Sequence, residues 1–188
     1  MPSPIGHSLA GILLLILRRK LGHWREFLQY WREGVFFIFL AVLPDIDLFD
    51  PASKTFSLYS PHHHEATHTF AFAFLIALVV VFIRFAKQKR WSWGLGIWVF
   101  LTVSSHVLLD LFFSNTTELP GIPVFWPFLK KRIILPIHCY YYWERENILS
   151  FPNAINTLGE IGVGVLLIVL LLRWNRRQRN GDISTTAV

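Results

Sequence analysis

Three long stretches without charge limit what this chain can fold into. Ala66 to Ile83 and Trp91 to Leu109 contain no Asp, Glu, Lys or Arg, and Ala154 to Leu172 is interrupted only by Glu160. About 20 apolar residues in a helix cross a ~30 Å hydrocarbon core, so each stretch predicts a transmembrane helix. Two shorter stretches, Ile5 to Leu17 and Gly34 to Leu43, predict short tilted membrane helices or a hairpin that dips in and returns. The composition agrees. Of 188 residues 53% are hydrophobic and 16% charged, whereas a soluble domain carries about 25% charge. The 17 Phe and 8 Trp suit a chain that meets lipid and its interface. The expected fold is therefore an all-α integral membrane helical bundle, with three clear transmembrane helices and two short N-terminal membrane segments. A single membrane-embedded domain over residues 1–173 is expected to carry a basic, disordered tail over 174–188.

The basic residues set an expected orientation. If five segments alternate, 13 of the 18 Lys and Arg fall in the loop 18–33, the loop 84–90 and the tail after Leu172. The opposite side holds Lys54, Lys130, Lys131, Arg132 and Arg145. The positive-inside rule puts the richer side, with the C-terminus, in the cytoplasm and the N-terminus outside it. In the first segment the charges of Arg18, Arg19 and Lys20 follow the apolar run, which argues against a cleavable signal peptide. The lone Cys139 excludes an internal disulfide and a Cys-based zinc site.

Ionisable groups next to apolar segments are costly, and here they gather on one side. His7 opens segment one, and Asp45 and Asp47 close segment two after Pro44. His62, His63, His64 and His68 sit at the outer entry to segment three, and His106 and Asp110 lie in the last turns of segment four. Segments that alternate in direction thus deliver imidazoles and carboxylates to the same membrane face. His106 and Asp110, four apart, share a helix face one turn from each other, and His64 and His68 have the same spacing. Asp45 and Asp47, two apart, would point the same way from an extended backbone. Imidazole nitrogens with carboxylate oxygens suit Zn²⁺, with Mn²⁺ or Fe²⁺ as alternatives, and the number of candidates leaves room for two or more ions. Taken one by one, each group also has a structural explanation, such as an interfacial histidine, a helix cap or a His–Asp hydrogen bond. It is their convergence that points to a metal site.

The blocks Gly6-His7-Ser8-Leu9-Ala10-Gly11, Leu43-Pro44-Asp45-Ile46-Asp47, His63 through Thr67-His68, and His106-Val107-Leu108-Leu109-Asp110 occur in this order, followed by Gly121 and Phe125-Trp126-Pro127-Phe128. This ordered set resembles the YdjM-type family of inner-membrane metal-dependent hydrolases. That family is thought to be distantly similar to zinc-dependent phospholipase C and P1-type nucleases. The resemblance runs from Pro4 to about Arg132 and implies His7, Asp45, Asp47, His63, His68, His106 and Asp110 as metal ligands. The family reads His-Arg-Gly before the Thr-His pair, whereas here His63 is followed by His64 and Glu65. That departure leaves His64 to ligate or to donate to a phosphate, and Glu65 to act as general base.

Other residues are secondary candidates. Lys130, Lys131 and Arg132 could bind a substrate phosphate or simply contact headgroups. Glu160 lies about 9 Å into the last span, where a carboxylate could reach the metals or anchor a ligand histidine. The expected function is a membrane-bound phosphoesterase that acts on a phospholipid or lipid-linked phosphate at the outer surface through metal-activated water. The alternative is a divalent-metal transporter or sensor without catalysis. The uncharged inner halves of segments three and four count against a path through the membrane. A membrane-anchored partner-binding protein would leave the ordered His/Asp blocks unexplained. Nucleic acid is not an expected partner, since four arginines in the tail would attract it only weakly and without specificity.

Overall fold

The computed structural model describes residues 3–50, 55–56, 66–113, 121–135 and 150–185. The chain is all-α. Helix α1 spans Pro4–Arg19, a short α2 spans Trp24–Gln29, and α3 spans Trp31–Val42 before passing into a 3₁₀ turn over Leu43–Leu48. Two-residue strands Phe49–Asp50 and Thr55–Phe56 pair antiparallel. Helices α4 (Phe70–Gln88), α5 (Trp93–Phe113) and α6 (Phe151–Thr185) follow. These last three are long and apolar enough to cross a membrane, as the uncharged stretches predict. The basic segment from Trp174, expected as a disordered tail, continues α6 as helix through Thr185. It is held at the helix flank, where Asn175 Nδ2 donates to Leu21 O at 2.9 Å and Arg179 Nη1 to Glu26 Oε1 at 2.8 Å.

Each inner helix buries a narrow stripe at four-residue spacing and leaves large apolar side chains outside, as expected of helices in lipid. The buried stripe of α1 is His7, Gly11 and Leu15; that of α4 is Ala73, Ala77 and Val81. On α5 the stripe of Val99, Val103 and Val107 runs beside Thr102, His106 and Asp110, which are also buried. Outside, Phe74, Phe82, Ile97 and Leu166 are more than half exposed and available to lipid. Small residues set how closely the helices approach. A Cβ on Gly11 would lie 2.7 Å from the carbonyl oxygen of Phe37, so α1 packs backbone to backbone on α3. With α1, α3 and α4 also packed on α5, and α6 on α1, the start of α1, the turn after α3, the start of α4 and the end of α5 come together at one end of the bundle.

Two local features shape that end. Ser3 caps α1, with Pro4 in the first turn where its missing N–H costs nothing. Residues 121–135 fold over the start of α4, where Phe70 N–H donates to Val124 O at 3.0 Å and Ile122 pairs with Ile133. Ile122 and Val124 are fully buried against Val107. Gly121 adopts a φ of +84°, and a Cβ there would meet Ile133 O at 2.5 Å.

Candidate metal centre

Four elements bring five of the predicted residues into one buried cluster. The first turn of α1 supplies His7, the 3₁₀ turn Asp45, the residue before the α4 cap His68, and α5 His106 with Asp110. His7, His68, His106 and Asp110 are fully buried and Asp45 is 6% exposed. His106 Nε2 lies 3.1 Å from Asp110 Oδ2, 3.3 Å from Asp45 Oδ1 and 3.1 Å from His68 Nε2. His68 Nε2 lies 3.3 Å from Asp110 Oδ2 and 3.7 Å from Asp45 Oδ1. The His7 ring stacks on that of His106 at 3.6 Å, with its Nε2 3.5 Å from Asp110 Oδ1.

The tautomer of His106 follows from its other nitrogen. Nδ1 stands 2.7 Å from the carbonyl oxygen of Ala41, which can only accept, so Nδ1 carries the proton. Nε2 therefore faces the carboxylates, to which it donates when protonated, and when neutral it offers its lone pair to a cation held among them. His68 is arranged the same way from the opposite side. Its Nδ1 lies 3.2 Å from Asp47 Oδ2, and Thr67 Oγ1 donates to that same oxygen at 2.6 Å. A carboxylate or carbonyl behind each imidazole is the usual arrangement behind metal-ligating histidines.

The donor set fits a divalent ion. Zinc bonds of ~2.0–2.1 Å set donor atoms about 3.3 Å apart in a tetrahedral site, and the six Nε2 and carboxylate separations above run from 3.1 to 3.7 Å. Both ring nitrogens of His7 and Oδ1 of Asp45 are buried with no hydrogen-bond partner among the described residues. Such groups are costly unless a proton or a cation is shared among them. Two overlapping groups each bring three donor atoms within 4.8 Å of one another, His7 with Asp45 and His106, and His68 with His106 and Asp110. His106 belongs to both.

Two shifts describe the cluster without an ion. Burial pushes the Asp45 carboxyl up, but the close His106 and His68 imidazoles outweigh it and hold the group below the usual carboxylate range. Burial pushes His68 down, and its contacts with Asp110, Asp45 and Asp47 more than reverse that, raising it well above an ordinary imidazole.

The remaining sequence candidates lie elsewhere. Asp47 does not join Asp45 as a parallel donor. The turn is 3₁₀, at three residues per turn, so side chains two apart diverge instead of aligning as they would in an extended backbone. Asp45 reaches the Nε2 side of His68 and Asp47 the Nδ1 side. His63, His64 and Glu65 lie outside the described residues. Lys130 and Lys131 are exposed, and Arg132 donates from Nε to Gly121 O at 3.1 Å. Lys131 and Arg132 line an open cleft of about 530 Å³ with Phe125 and Leu129. Glu160 accepts hydrogen bonds from Ser3. Sequence reasoning gave no role to Thr67, Ser3 or the Ala41 carbonyl. Thr67 and Ser3 had a legible signal as polar residues beside a histidine and before Pro4; the carbonyl had none.

Residues 1–181 match the profile of the YdjM inner membrane protein family, and the chain belongs to that family. No curated protein and no solved structure matches the chain.

Proposed function

We propose that this member of the YdjM family is a membrane-bound, metal-dependent phosphoesterase that acts on a phospholipid or a lipid-linked phosphate at the outer membrane surface. The observation that carries the reading is the meeting of His68 and His106 Nε2 with the Asp45 and Asp110 carboxylates, each imidazole backed by an acceptor on its Nδ1 side. His7, Asp45, His68, His106 and Asp110 would hold the ion or ions. Zinc is the best fit to nitrogen and carboxylate donors, with manganese or iron as alternatives. When bound, such an ion polarises a phosphoryl oxygen and lowers the pKa of water toward ~7. Asp47 and Thr67 orient His68, and the Ala41 carbonyl orients His106. The helix ends that carry the donors would lie at headgroup depth, where a lipid phosphate is within reach. His64, four residues before His68, would ligate or donate a hydrogen bond to the phosphate, and Glu65, three before it, would act as general base.

The full burial of the cluster favours a second reading. Closed sites are usual for structural metals, whereas catalytic ones keep an open position, so a non-catalytic metal sensor or transporter would also use such a centre. The assay that separates them follows headgroup or phosphate release from phosphatidylglycerol and from an undecaprenyl-type lipid phosphate, with zinc or manganese supplied. Release that vanishes in Asp110→Ala supports the phosphoesterase. Tight metal binding without release from either class would favour the sensor or transporter. A reporter fused after Val188 should read as cytoplasmic; an external signal would move the site to the other face.

A further inference from the structure

A second site lies at the end of the bundle opposite the His/Asp cluster. There α1, α3, α4 and α5 leave an open cleft of about 410 Å³. Its cations are Arg18 and Arg19 from the last turn of α1, and Arg84 and Lys87 from the last turns of α4. One carboxylate faces them, and it is taken by α1. Arg18 Nη1 and Arg19 Nε each donate to Glu33 Oε2 at 2.9 Å, and Arg19 Nη2 donates to Oε1. Arg84 and Lys87 pair with no carboxylate among the described residues, and Arg84 is near enough to repel Arg18.

Apart from Gln88, the rest of the cleft is apolar. Phe36, Val80 and Leu95 form its walls, and Ile83, which is 48% exposed, stands at its edge. The occupant must therefore bring an anion to the cations and hydrocarbon to the walls. A free anion would leave the walls wet, and a zwitterionic headgroup would bring its own cation toward Arg84. Basic pockets between membrane helices take anionic headgroups for this reason.

We propose that this cleft binds an anionic phospholipid, its phosphate between Arg84 and Lys87 and its acyl chain along Phe36, Val80 and Leu95. The lipid would bridge α1 with α3 to α4, a junction where cations alone repel. The site is separate from the metal centre and does not depend on any activity there.

The test is native mass spectrometry of the detergent-purified full chain, titrated with phosphatidylglycerol, with phosphatidylcholine of the same chains, and with inorganic phosphate. Phosphatidylglycerol should bind saturably, and the other two should not. Arg84→Gln/Lys87→Gln should weaken its apparent binding about thirtyfold, near fivefold per cation. Arg173→Gln/Arg177→Gln removes equal charge from exposed α6 positions and should leave binding unchanged. Equal loss in both double variants would reduce the effect to surface charge and overturn the site. Binding of inorganic phosphate as tight as that of the lipid, or no preference over phosphatidylcholine, would also overturn it.

Discussion

Glu160 on α6 accepts hydrogen bonds from the backbone N–H of Ser3, at 2.9 Å to Oε1 and 3.1 Å to Oε2, and from the Ser3 hydroxyl. The carboxylate is 6% exposed. It fastens the first turn of α1 to α6, and the first turn of α1 carries His7, whose N–H donates to Ser3 O at 3.2 Å. A carboxylate set within the last span thus fastens the helix end that carries His7, and at the candidate metal centre it would serve as a positioning residue. Glu160→Ala leaves two Ser3 donors unpaired, at a cost of about 1–3 kcal/mol. It should lower thermal stability more than Glu160→Gln, which keeps an acceptor. Metal affinity should fall in both, measured by competition with a chelating dye. Unchanged affinity in both would confine Glu160 to capping.

Asp47 and Thr67, behind His68, make a different prediction. Removing an orienting partner of a metal-ligating histidine typically costs ten- to a hundredfold in affinity. Asp47→Asn and Thr67→Val should each lower affinity by about that much while leaving the number of ions bound at saturation unchanged. Loss of a full equivalent in Asp47→Asn would instead make Asp47 a direct ligand.

Gly11 tests the packing that brings α1 to the site. It lies one turn after His7 on the same face, and a Cβ there meets backbone atoms of Phe37 that cannot yield. Gly11→Ala should destabilise the protein by about 1–3 kcal/mol. Gly162→Ala on α6, where a Cβ meets nothing within 4 Å, should be neutral or slightly stabilising. Thermal unfolding in detergent reads both.

A metal at the candidate site would compete with protons for His68. Its contacts with Asp110, Asp45 and Asp47 raise its affinity for a proton in the metal-free protein. Metal uptake must displace that proton, so loading should release protons and metal affinity should weaken as pH falls. Because the shift is upward, affinity should go on rising with pH beyond the range where an ordinary imidazole is already neutral. Calorimetry in buffers of different ionisation enthalpy measures the protons released. A flat affinity from pH 6 to 8 would contradict this.

The hydrophobic pattern made α4, α5 and α6 legible, because a run of uncharged residues has few alternatives to spanning lipid. Their ends were less so: Ala66 opened the predicted span, but Thr69 caps the helix and leaves His68 just outside it. The convergence of His7, Asp45, His68, His106 and Asp110 was legible from alternating direction and from four-residue spacing. The division of labour within the cluster was not. It depends on the 3₁₀ geometry of Leu43–Leu48, which turns Asp45 and Asp47 apart, and on a backbone carbonyl at Ala41 that no side-chain motif records. Glu160 stood out as a carboxylate in an apolar span, yet its partner is 157 residues away, a pairing that local pattern does not encode.

The most direct measurement is elemental analysis of the tag-free, detergent-purified protein beside the His106→Ala/Asp110→Ala double variant. His106 belongs to both donor groups and Asp110 to one, so the account predicts zinc or manganese in the parent protein and loss of it in the variant, with membrane insertion retained. Equal metal content in the two proteins, or none in the parent after reconstitution, would contradict it and leave the cluster as a proton-sharing network of structural residues.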